Sequence, residues 1–106
     1  MSVAGVRGPR VGLTDCVAVH AASAVPGAER LHWYGQYSPL EPLRVVEHTC
    51  SVCRAVSYEF GARGGAFLIR RTDHRDRGRV VVHETSAVRR LVGEERWRAL
   101  LYGWVV

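Results

Sequence analysis

The chain of 106 residues has no lysine, no asparagine and a single isoleucine, Ile69; all fifteen of its basic residues are arginine. That bias follows GC-rich coding, so arginine here is no sign of selection for bidentate contacts. No run of about 18 apolar residues occurs, which excludes a transmembrane helix by the usual length criterion. Residues 1–10 carry two arginines, but the apolar stretch that follows is broken by Thr14, Asp15 and His20, a poor match to a secretion signal. With only three cysteines and no such signal, the chain is expected in the reducing cytoplasm, its thiols free, metal-bound or redox-active rather than held in structural disulfides. No internal repeat is visible. A phosphate-cradling loop is also missing: Gly61, Gly64 and Gly65 lie between two strand-like segments with no helix after them, as a hairpin turn requires.

What remains is ordinary for one globular domain: 47% apolar and 24% charged residues, with a net charge of +5. The charge favours an acidic protein surface as partner over nucleic acid, because the arginine clusters are diluted by acids. Arg70, Arg71, Arg75, Arg77 and Arg79 surround Asp73 and Asp76, and Arg89, Arg90, Arg96 and Arg98 flank Glu94 and Glu95. A candidate binding surface combines Arg70, Arg75 and Arg77 with the aromatic stretch His32, Trp33 and Tyr34.

Periodicity divides the chain at residue 28. Residues 1–28 read as a flexible or partly helical N-terminal segment, rich in Gly and Pro at both ends. Within it, Leu13, Cys16, Val17, His20, Ala21 and Ala24 share a helical face, although Val17, Val19 and Ala21 also alternate as a strand would. Residues 29–106 read as a single α+β domain. Strands are expected over 31–37, 43–48, 55–61, 66–71 and 79–84, forming an antiparallel sheet of four to five strands. A C-terminal helix should cover it, capped by Thr85 or Ser86. Its two apolar stripes, Val88, Leu91 and Val92 and then Trp97, Leu100, Leu101 and Trp104, fall out of phase around Gly93, which predicts a kink or two short helices. The apolar end at 102–106 is a candidate homodimer contact.

The chemistry lies in Cys50-Ser51-Val52-Cys53. A C-x-x-C turn between strands can grip a metal ion with two thiolates or cycle through a disulfide. Structural zinc needs about four ligands. Cys16 and His20, spaced i, i+4, offer a second pair, so the most economical site is Cys16, His20, Cys50 and Cys53. An alternative set draws on His48 with His74 or His83. A second C-x-x-C, which a zinc ribbon would require, is missing. A redox function for Cys50 and Cys53 is weakened by strand-like flanks, since catalytic C-x-x-C pairs sit at helix N-termini. Nothing resembles a catalytic signature. The reading is a small, non-catalytic cytoplasmic interaction or regulatory module whose C-x-x-C turn either holds structural zinc as a clip or stays reduced. The alternatives are a thiol redox protein or sensor using Cys50 and Cys53, and a small-ligand binder with a pocket lined by Trp33, Tyr58, Phe60 and Trp97.

Overall fold

The computed structural model describes residues 16–35 and 42–106. Expectations for residues 1–15 and 36–41 lie outside the described residues. Five strands, β1 (Tyr34–Gly35), β2 (Arg44–His48), β3 (Val56–Arg63), β4 (Ala66–Asp73) and β5 (Val81–Glu84), precede one helix, α1 (Arg90–Leu101). They form a single antiparallel sheet in the order β1-β5-β4-β3-β2, the α+β architecture expected from the sequence.

The β3–β4 hairpin organises the sheet. Arg63 pairs with Ala66 across a two-residue loop, and both loop residues, Gly64 and Gly65, have positive φ (60° and 82°). Only such a turn matches the twist of the flanking strands, and glycine adopts it without steric cost. The register then stacks Phe60 opposite Ile69 and Ala62 opposite Phe67 on one face. Helix α1 packs there, and Phe60, Ile69, Trp97 and Leu100 form the buried core. The rings of Phe60 and Trp97 stack at 5.7 Å, while Trp33 and Tyr58 meet in a tilted contact at 6.1 Å against the same core. The Trp97 indole Nε1–H donates to Glu47 Oε1 at 2.7 Å, reaching the strand residue in register with Phe60.

The helix differs from expectation in two ways. It runs unbroken through Gly93. That glycine is buried where a Cβ would lie 2.9 Å from Phe67 Cβ and 3.2 Å from Phe60 Cε1, so its role is close packing of helix on sheet. The helix also starts later than Thr85 or Ser86 would cap it, with Arg89 before its first residue and no side-chain cap. Thr85 is used elsewhere: its hydroxyl accepts the Ile69 N–H at 3.0 Å, and Val88 bridges Phe67, so this stretch continues along β4 before turning into the helix. The second apolar stripe ends with the helix. Trp97 and Leu100 are buried, whereas Trp104 is exposed and stacks on Tyr102 at 5.0 Å.

The other face of the sheet carries ion pairs around the buried Leu68. Arg63 makes a bidentate pair with Glu84 at 2.7 and 2.8 Å, reaching over β4, and Arg70 pairs with Glu59 at 2.7 Å. Residues 16–31 contain no helix. They run beside the C-terminal residues: Ala22 N–H donates to Leu101 O, Val25 N–H to Gly103 O and Leu31 N–H to Val106 O, and Val106 N–H returns to Glu29 O.

Candidate metal centre

The loop between β2 and β3 is closed at its neck by Thr49. Its N–H donates to Tyr58 O at 2.8 Å, and its hydroxyl accepts the Tyr58 N–H at 2.9 Å. Beyond this clamp, Cys50 turns inward and the chain folds back on its sulfur. The N–H groups of Val52 and Cys53 both point at Cys50 Sγ, each at 3.4 Å. The Cys50 N–H donates to Val19 O at 2.8 Å, which fastens the N-terminal segment beside the loop. A bend at Ala18 then brings Cys16 and His20 to the same point without the helix their spacing suggested.

The ligand atoms of Cys16, His20, Cys50 and Cys53 all lie within 4.8 Å of one another. Cys16 Sγ and Cys50 Sγ are 3.8 Å apart. A tetrahedron with metal–sulfur bonds of about 2.3 Å has edges of about 3.8 Å. The four donors therefore stand at or near the spacing of a tetrahedral centre. Cys50 is buried, His20 half-buried, and Cys16 and Cys53 exposed.

Electrostatics point the same way. Donation from the backbone N–H of Cys53, then of Val52, brings the Cys50 thiol down to about 6. The neighbouring Cys16 and Cys50 sulfurs push Cys53 up to about 11. Thiolates gathered at one spot repel one another, and a bound dication is one way to offset that repulsion. The donor set fits a soft or borderline metal, since thiolates and imidazole disfavour magnesium and calcium.

The alternative histidines stay outside this group. His48, on the exposed strand β2, turns its Nδ1 toward Thr49 O at 3.1 Å. His74 is in the exposed loop after β4, and His83 in β5 faces Arg71 in register. No other cluster of three or more such side chains is found among the described residues. The candidate binding-surface residues are engaged to different degrees. Arg70 is paired with Glu59, and Arg75 holds Asp73 through contacts of 2.6 to 3.1 Å. That pairing brings the Asp73 carboxyl down to about 2. Trp33 packs on Tyr58 with the Arg71 guanidinium 5.8 Å above its ring. His32, Tyr34 and Arg77 are exposed.

No family model, curated protein or solved structure matches the chain. No helix among the described residues is long and apolar enough to cross a membrane.

Proposed function

We propose that Cys16, His20, Cys50 and Cys53 bind one structural zinc ion, and that the protein is a non-catalytic interaction module of the cytoplasm. The observation that carries this reading is the convergence of four donors, from two separate stretches of chain, within 4.8 Å. Four protein ligands complete a tetrahedral zinc site and leave no open position for substrate, the mark of structural rather than catalytic zinc. When bound, zinc would replace the mutual repulsion of the thiolates with attraction. The chain supplies the rest: Thr49 clamps the loop, two backbone N–H groups hold Cys50, and Cys16 and His20 anchor the N-terminal segment. The module's partner is an acidic protein surface, supported by the net charge of +5 and by the exposure of Arg77 and Arg79.

Native mass spectrometry of protein purified under reductant, with thermal melts before and after a strong chelator, tests the reading. One zinc per chain is expected, and its removal should lower Tm by more than about 10 °C, because each kcal/mol shifts a domain of this size by about 4–8 °C. A metal-free mass together with a Tm that ignores the chelator overturns it. A metal-free mass two hydrogens short of fully reduced would instead favour the thiol redox reading.

A further inference from the structure

The metal ligands differ in their access to solvent, and this gives the centre a direction of attack. Cys16 and Cys53 are both exposed, and Val17 beside Cys16 is fully so, which leaves the N-terminal arm of the site open to small reagents. Cys50, in contrast, is buried at 6% exposure and held by the N–H groups of Val52 and Cys53. Its sulfur lies 3.8 Å from that of Cys16. An exposed thiolate beside a fixed, buried one is the arrangement in which the first is oxidised and the second resolves it.

We propose that Cys16 is a peroxide-reactive modification site, and that hydrogen peroxide converts Cys16 and Cys50 to a disulfide and expels the metal. This inference rests on the zinc reading above. The Cys16 thiolate attacks a peroxide oxygen: an S–O bond forms, the O–O bond breaks, and the departing hydroxide takes a proton and leaves as water. The Cys50 thiolate then attacks the Cys16 sulfenic sulfur: the S–S bond forms, the S–O bond breaks, and a second hydroxide is protonated to water. In total two thiolates give up two electrons to one peroxide, two protons are consumed and two waters are formed. Only Cys53 and His20 remain as donors, and the zinc ion passes to solvent.

The consequence is specific to this pairing. Cys16 belongs to the N-terminal segment and Cys50 to the β2–β3 loop, so the disulfide ties together the same two stretches that the metal tied. A Cys50–Cys53 disulfide would close only the loop on itself and leave the N-terminal segment without a covalent tie to it.

The test uses the zinc-loaded full chain with one to two equivalents of hydrogen peroxide. Zinc release is followed with a chromogenic chelator, then free thiols are alkylated and the protein is digested with trypsin. Cleavage after arginine places Cys16 in peptide 11–30 and both Cys50 and Cys53 in peptide 45–54. The expected result is release of one zinc per chain, a cross-link between these two peptides, and fragment ions placing the alkyl group on Cys53. A disulfide within peptide 45–54, or sulfinic acid on Cys53 with Cys16 unmodified, overturns the proposal. A chain that never carried metal removes the zinc reading alone, and the same map still decides whether Cys16 and Cys50 pair.

Discussion

Replacing Arg63 by methionine should be among the most damaging single changes on the ion-paired face of the sheet. Glu84 is only 2% exposed and Arg63 12%, and both carboxylate oxygens accept from the guanidinium at 2.7 and 2.8 Å. Without its partner, Glu84 would be left as a buried, uncompensated charge, which costs about 3–5 kcal/mol. Replacing both residues with apolar ones, Arg63→Met with Glu84→Leu, removes both charges together. Such double replacements are often nearly neutral, so a net change within about 1 kcal/mol of wild type is expected. Other contacts of Arg63 cancel in the cycle, leaving a coupling energy of at least about 2 kcal/mol. Urea unfolding followed by tryptophan fluorescence measures all four proteins. Low exposure also shields the pair from salt, so 1 M NaCl should leave the coupling largely intact. The exposed i, i+4 pair Arg90–Glu94, at 2.9 Å, should show a coupling of only about 0.3–0.5 kcal/mol that salt removes. If Arg63→Met costs less than about 1 kcal/mol, or the two single changes simply add, the buried-pair argument fails.

The metal-free thiols should ionise in separated steps, read by thiolate absorbance at 240 nm, with the first near pH 6 for Cys50 and a late one near 11 for Cys53. Cys50 lies below its ordinary value of 9.0, so its contribution to stability is full above pH 9 and gone below about pH 6, while Cys53 opposes folding above pH 9. A Cys50 thiolate that forms only near its ordinary value would show that the backbone N–H groups do not act on it. Gly93→Ala sets a gain of about 1 kcal/mol in helix propensity against overpacking of about 1–3 kcal/mol on Phe67 and Phe60. The contact falls on Phe67 Cβ, next to the backbone, where little can move, so net destabilisation of about 1 kcal/mol is expected in the same urea assay. Stabilisation by this substitution would mean that the helix can shift off the sheet.

Much of the fold was legible because alternation and turn chemistry are local signals. Val56, Tyr58 and Phe60 alternate with Ser57 and Glu59, and the Gly64–Gly65 pair specifies a hairpin between them and β4. The helix was harder to delimit. Thr85 carries an N-cap side chain, but its hydroxyl serves the Ile69 N–H of a neighbouring strand, a demand invisible from local sequence. Gly93 looked like a breaker because propensity counts only what glycine costs a helix, not what its missing side chain lets the helix touch. Cys16 and His20 were paired through a helical spacing that the chain does not use; a bend at Ala18 achieves the convergence instead. The hydrogen bonds to Cys50 Sγ come from backbone groups, which carry no residue signature.

By itself, the sequence determined the sheet, the helix and the presence of cysteine and histidine side chains able to hold a metal, because hydrophobic period, glycine turns and residue chemistry are written position by position. The tertiary structure decided which of five histidines joins the thiols, that Arg63 and Glu84 pair out of solvent, and that an exposed Cys16 sulfur lies beside the buried one of Cys50. Each of these depends on distances between residues 21 to 34 positions apart in the chain, which only packing fixes.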